Sequence, residues 1–283
     1  MTHKIAAVQM VSSADLDANL QSAAQLIAEA SSQGARLVLL PEVFAVLEGG
    51  PMRPYGEEQG SGPIQDFLSE QARSHQIILV GGTIPLISRA GKQAGEAAYL
   101  IEDDRVRPAS LVYDEKGDLI SRYDKIHLFD VTVADSQASY SESRSYEAGD
   151  EIVCTDTSVG KLGLTVCYDL RFPELYRELY SMGAELVTVP AAFTRVTGEA
   201  HWETLLRARA IENQCYVIAA GQGGRHNERR ETWGHSMIID PWGVILAQHE
   251  EGEGVAVAEI DLHRLRDIRA RMPIASQRKL PLN

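Results

Sequence analysis

Short, continuous apolar runs alternate with segments of helical period along most of this chain. That alternation restricts it to an α/β architecture whose strands are buried on both faces. Ile5 to Met10 reads as the first strand. Ser12, Ser13 and Asp15 then offer capping oxygens, and Leu16, Leu20, Ala23, Ile27 and Ala30 recur at steps of four and three, which predicts an amphipathic helix. Gly34 ends that helix, Leu37 to Leu40 forms a second apolar run, and Pro41 stops it just before Glu42. The unit recurs: Gly62-Pro63 opens a helix carrying Ile64, Phe67, Leu68 and Ala72, and Ile77 to Val80 is a strand closed by Gly81-Gly82. Further on, Leu162 to Val166, Pro173 to Met182 and Leu186 to Val189 give strand, helix and strand again. A helix over Trp202 to Asn213, strands at Tyr216 to Ala220, Ser236 to Ile239, Val244 to Ala247 and Val255 to Ile260, and a polar helix near His263 to Arg271 complete the pattern.

Gly34-Ala35-Arg36-Leu37-Val38-Leu39-Leu40-Pro41 is echoed by Gly183-Ala184-Glu185-Leu186-Val187-Thr188-Val189-Pro190. Two similar layers would explain the echo, and so would a grammar common to helix-to-strand junctions. In the middle of the chain, Leu111 to Tyr113 and Leu119 to Tyr123 flank the polar turn Asp114-Glu115-Lys116-Gly117, which predicts an antiparallel hairpin and therefore mixed sheets. Val131 to Asp150 is rich in Ser, Asp, Glu and Ala and reads as a long surface excursion of the kind that frequently carries function. The 283 residues are about twice a ~150-residue domain, yet no break in composition divides them.

Charge narrows the partners. With 27 Lys+Arg against 40 Asp+Glu the net charge is −13, a field that disfavours nucleic acid and anionic membrane surfaces. No run approaches the ~20 apolar residues of a membrane span, and the apolar stretch after Met1-Thr2-His3-Lys4 is interrupted by Gln9 too soon for a signal peptide. Cys154, Cys167 and Cys215 form no CxxC pair and suit a reducing cytoplasm. The eight histidines contain no HxH or HExxH spacing that would suggest a metal hydrolase.

Three residues stand where strands stop. Cys167 follows Gly163-Leu164-Thr165-Val166, and strand ends of α/β folds face the usual ligand crevice. Nearby cations would favour its thiolate, and the backbone N–H after it could face an oxyanion; a buried structural thiol is the plainer alternative, and the one preferred for Cys154 and Cys215. Glu42, directly after an apolar strand, is poorly solvated and suited to general-base work, or else pairs with an arginine or caps a turn. Lys125 lies between strand-like and apolar segments, where most lysines are merely solvated.

Taken together, Leu40-Pro41-Glu42, Tyr123-Asp124-Lys125-Ile126-His127-Leu128-Phe129 and Cys167-Tyr168-Asp169-Leu170-Arg171-Phe172-Pro173-Glu174-Leu175 resemble the nitrilase (carbon-nitrogen hydrolase) superfamily. The resemblance covers nearly the whole chain. It implies a four-layer α-β-β-α sandwich with two mixed sheets, one domain over 1–283, a homodimer or larger assembly supported by the segment from about residue 261, and no metal or organic cofactor. It also implies a catalytic set of Glu42, Lys125 and Cys167 with a second glutamate. The best match for that glutamate is Glu142 in Tyr140-Ser141-Glu142-Ser143, although Val133-Ala134-Asp135-Ser136 departs from the Pro-Gly turn of close relatives; Glu147 is the fallback.

Within the superfamily, the runs around Lys125 and Cys167, with Pro190-Ala191-Ala192-Phe193-Thr194 and His201-Trp202-Glu203, look like the branch that hydrolyses deaminated glutathione to 2-oxoglutarate and cysteinylglycine. A carboxylate-bearing amide calls for cationic or hydroxyl partners, and Tyr168, Arg171, Thr194 and Arg195, with the neighbouring Phe193, are the candidates. Arg171 could instead pair with Glu174 or Asp169. An ω-amidase acting on 2-oxoglutaramate, or an N-carbamoyl hydrolase, is the alternative within the class. Outside it stand a Cys–His protease using His127, His201 or His235, and a non-catalytic binding protein with a vestigial site. Arg225-His226-Asn227-Glu228-Arg229-Arg230 reads as a solvated loop that would matter at a pocket mouth.

Overall fold

The computed structural model describes residues 1–47, 50–91, 99–135 and 138–279. Residues 136–137 of the 131–150 excursion and 280–283 of the C-terminal segment lie outside the described residues. Among the described residues, five helices of nine residues or more frame the fold: α1 (Leu16–Ser32), α2 (Pro63–His75), α3 (Pro173–Ser181), α4 (Arg195–Asn213) and α5 (Leu262–Arg271).

Two mixed sheets lie between them. In the first, Thr2–Gln9 and Ala35–Leu39 run parallel, as do Ala35–Leu39 and Ile78–Val80, while Gly254–Asp261 and Arg107–Tyr113 close the flanks antiparallel. The second runs Cys154–Thr157, Gly160–Leu164, Leu186–Ala191, Tyr216–Gly221, Ser236–Ile239, Ile245–His249, with parallel pairing confined to the three strands from Gly160 to Gly221.

Period-2 alternation explains why these strands are continuously apolar. Ile5, Ala7, Leu37 and Leu39 join a core shared with Leu162, Leu164, Val187 and Val189 of the other sheet. Ala6, Val8, Val38 and Leu40 point the opposite way, onto Ala23 and Ile27 of α1 and Leu68 of α2. With α3 and α4 outside the second sheet, the layers run helix, sheet, sheet, helix, as the resemblance implies. The echoed segments are therefore one central strand from each sheet.

Local chemistry sets the ends of the elements. Asp15 caps α1 by accepting from the Ala18 N–H at 3.0 Å. The Asp114 carboxylate accepts from the N–H groups of Lys116 and Asp118 and closes the hairpin between Arg107–Tyr113 and Leu119–Asp124. Helix α4 starts seven residues before the expected Trp202, because Thr194 supplies a cap to the Thr197 N–H. Gly198 belongs inside it since a Cβ there would meet Trp233 at 2.2 Å. The excursion is not wholly superficial: it contains the paired strands Asp130–Thr132 and Ser139–Ser141 and a 3-10 turn, Glu142–Arg144. Cys154 is only half-buried, at the start of an edge strand, rather than inside an apolar one. Among the described residues, no helix is long and apolar enough to cross a membrane.

Candidate active site

Glu42 follows Pro41 at the end of the Ala35–Leu39 strand. The turn is tight: Val43 has φ +51°, and its N–H donates to Thr83 Oγ1 at 2.9 Å. Gln222 Nε2 donates to the Glu42 carbonyl at 3.1 Å and to Ser12 Oγ at 2.8 Å. Gly82 presses on the same turn, since at its φ of +50° a Cβ would lie 1.9 Å from the Pro41 carbonyl oxygen. Gly82→Ala should therefore displace Glu42 and lower kcat on the order of 10²-fold, while a crystal structure of the variant shows Pro41 moved; an unchanged rate would remove this contact from the description of the site.

Lys125 follows the Leu119–Asp124 strand and is only 1% exposed. Its Nζ lies 2.8 Å from Glu42 Oε1 and 2.8 Å from both oxygens of Glu142. Glu142 is fixed in turn by the Phe129 N–H, which donates to its Oε2 at 2.6 Å. Burial alone would push the Lys125 ammonium down, but Glu142 and Glu42 outweigh it and hold the group well above the usual lysine range. Burial, reinforced by the Glu42 charge, pushes the Glu142 carboxyl up against the pull of Lys125. Glu147, the fallback, is engaged elsewhere by Arg89 and Arg107.

Cys167 opens a 3-10 turn, Cys167–Arg171, at φ +49°, a strained conformation for a side-chain-bearing residue. Fully buried Asp169 secures it by accepting from the Val166 N–H at 2.8 Å and the Tyr123 hydroxyl at 2.7 Å. The same carboxylate accepts from the His127 N–H at 3.1 Å, so one residue ties the cysteine turn to the lysine segment. The Glu42 Oε2 accepts from the Ala192 N–H at 2.9 Å, and Glu42 and Cys167 line the same cavity. Burial first, then the Glu42 charge, push this thiol well above its ordinary range, and Lys125 only partly opposes them. Lys125 is the nearby cation expected to favour the thiolate, and it pulls in that direction, but burial and Glu42 outweigh it. Burial also pushes Cys215 up, to about 12.

These groups line a cavity of about 160 Å³, whose walls also include Tyr168, Phe193, Thr194, Tyr140, Tyr146 and Arg230. The sequence matches the carbon-nitrogen hydrolase family over residues 4–270. The chain belongs to that family.

This carbon-nitrogen hydrolase is 42% identical over 271 residues to the deaminated glutathione amidase of Yersinia enterocolitica, covering 95% of this chain and 91% of that one. It is 46% identical over 277 residues to the deaminated glutathione amidase of Synechocystis, covering 96% and 97%. The crystal structure of Saccharomyces cerevisiae Nit3, a member of branch 10 of the nitrilase superfamily, matches with a TM-score of 0.84 at 34% identity, covering 99% of this chain and 97% of that one.

In the hydrolase, Glu42, Lys125, Glu142 and Cys167 are brought together, and Tyr168, Phe193 and Thr194 line the cavity beside them. Arg171 and Arg195 are not among the lining residues. Arg171 stacks over Phe193 at 5.4 Å and contacts His201 rather than Glu174 or Asp169. Arg195 is half exposed and paired with Glu231. None of His127, His201 and His235 lines the cavity; their ring nitrogens face Asp169, Arg171 and the Trp233 carbonyl. Arg230 lines the cavity as a second cation beside Lys125, and it is not among the carboxylate partners expected from the sequence. One signal could have found it: the Tyr216–Gly221 strand is parallel to Leu186–Ala191, so the chain leaving it emerges at the same edge as Ala192 and Thr194.

Proposed function

We propose that this carbon-nitrogen hydrolase cleaves the amide of deaminated glutathione to 2-oxoglutarate and cysteinylglycine through a thioester on Cys167. The observation that carries the chemistry is the Lys125 ammonium shared by Glu42 and Glu142, in one cavity with the Cys167 thiol. The names of the relatives support the substrate.

The steps follow from where the protons sit. As Sγ attacks the amide carbonyl, its proton passes to Glu42. The carbonyl oxygen gains charge and is met by the Lys125 ammonium and the Tyr168 backbone N–H, a donor in the first turn of its 3-10 segment with no acceptor within that turn. One such donor contributes about 3 kcal/mol in comparable sites. Collapse breaks the C–N bond while Glu42 returns its proton to the leaving amine. Glu42 then takes a proton from water as the oxygen attacks the thioester, and the departing sulfur recovers it. Glu142 keeps Lys125 aimed and charged.

Burial of the thiol makes this concerted handling necessary, because a free thiolate in so negative a site would be poorly solvated. The same reading takes the chain as one domain working in the cytoplasm as a homodimer. Exposed Ile211, Trp242 and Val244 supply apolar surface for that contact, and the segment from about residue 261 is a further candidate.

The deciding measurement is kcat/KM on deaminated glutathione, 2-oxoglutaramate, a nitrile and an N-carbamoyl amino acid, side by side. Deaminated glutathione should lead, followed by 2-oxoglutaramate; a preference for either of the last two would overturn the substrate.

A further inference from the structure

Among the described residues, four charged side chains line the cavity, and three of them are committed to one another. Glu42 and Glu142 share Lys125, which leaves Arg230. Its Nε is buried without a hydrogen-bond partner among the described residues. Its guanidinium stands 5.8 Å from the centroid of Tyr140, another wall of the cavity.

The base of this side chain is well held. The Arg230 N–H donates to Asn227 Oδ1 at 2.9 Å, and the Arg230 carbonyl accepts from the His226 N–H at 3.0 Å. The His226 ring is itself clamped between the Ser12 carbonyl at 2.8 Å and Thr232 Oγ1 at 2.6 Å. Burial, with a contribution from the Arg230 charge, pushes that imidazole down to about 4, so the ring is neutral at neutral pH and Arg230 is the cation of this corner.

The charge balance gives such a cation a purpose. Two acidic side chains and one ammonium give the reacting centre a formal charge of −1, inside a chain of formal net charge −13. An acyl group that carries its own carboxylate is repelled there unless a second cation meets it. A guanidinium presents a planar fork of donors that matches a carboxylate, and its weak hydration makes it the side chain suited to a partly buried ion pair. Arg171 and Arg195 are spent on aromatic rings and on Glu231.

We propose that Arg230 is the specificity-determining residue of this site, anchoring the carboxylate at the far end of the substrate's acyl group while the amide carbonyl lies at Cys167. The assignment rests on the reading of a carboxylate-bearing acyl group given above. Because the acyl portion stays on the enzyme in the thioester, the anchor acts in both half-reactions, and the leaving amine is free to vary at the cavity mouth.

The test uses a matched pair of small amides, glutaramate and its methyl ester, together with deaminated glutathione, on wild type, Arg230→Gln and Arg230→Lys. A charged hydrogen-bonded pair of this kind corresponds to about 10- to 100-fold in affinity. Wild type should prefer the acid to the ester by that factor, through KM. Arg230→Gln should abolish the preference by raising KM for the acid with kcat nearly unchanged, and Arg230→Lys should retain part of it. Turnover of the ester reports whether each variant is folded and competent. Equal losses on acid and ester, or an undiminished preference in Arg230→Gln, overturn the anchor. Should deaminated glutathione be a poor substrate while the acid preference and its dependence on Arg230 persist, the substrate reading fails and the anchor stands.

Discussion

Cys167→Ala should lose amide hydrolysis by a factor on the order of 10⁴–10⁶, the scale seen when a covalent nucleophile is removed, while the fold survives. The side chain is small, and the strained φ of +49° is imposed by the anchored turn around it rather than by the sulfur. Cys154→Ala, at a half-buried position on an edge strand, should leave turnover unaltered and serves as the matched control. The rate should be followed by release of amine, with circular dichroism confirming structure. Retention of even a tenth of the wild-type rate by Cys167→Ala would exclude it as the nucleophile, whatever the geometry suggests.

Lys125→Met should be costlier still, since it removes activity and stability together. The substitution keeps the apolar stem and leaves Glu42 and Glu142 facing each other without the ammonium 2.8 Å from each. Breaking a buried pair on one side costs on the order of 3–5 kcal/mol, to be read from urea unfolding at neutral pH. The sign of the pH dependence follows from the chemistry. Burial and the facing charge raise the folded-state pKa of the Glu142 carboxyl above its unfolded value, and removing Lys125 takes away the largest opposing pull, leaving that of the Phe129 N–H. A carboxyl raised on folding penalises the native state only once pH exceeds its unfolded value of about 4.3. The deficit of Lys125→Met relative to wild type should thus shrink as pH falls from neutral toward 5. Adding Glu142→Gln to Lys125→Met should recover part of the stability and none of the activity. A single variant as stable as wild type at neutral pH would show that the two carboxylates do not depend on the lysine.

The layered architecture was legible because its cause is local. Strands buried on both faces must be apolar throughout, and Leu37 to Leu40 could be recognised without knowing what packs on either side. Positions just after such strands were legible for the same reason, which is how Glu42 and Cys167 stood out. Lys125 and Glu142 owed more to motif resemblance than to pattern, because a polar excursion such as 131–150 has no periodicity to read. The beginning of α4 was hidden by Gly198, whose fitness is evident only with Trp233 beside it. Arg171, Arg195 and Arg230 illustrate the general limit: nothing along the chain distinguishes an arginine laid over an aromatic ring from one turned into a cavity. That difference lies in which strand ends share an edge.

The seam between the two sheets gives the enzyme an unusual division of labour. Glu42 and Lys125 hang from the first sheet; Cys167, Ala192 and Thr194 hang from the second. Much of what lies between these halves is an apolar interface, which resists separation but offers no directional bonds against sliding. Buried polar side chains supply the pins that fix the offset: the Asp169 carboxylate, the Ala192-to-Glu42 hydrogen bond, Gln222 on Glu42 and Ser12, and Gln9 on Ser236. Catalytic competence is thus a vernier for the alignment of two slabs: a slip far too small to expose the core would already carry the base away from its thiol.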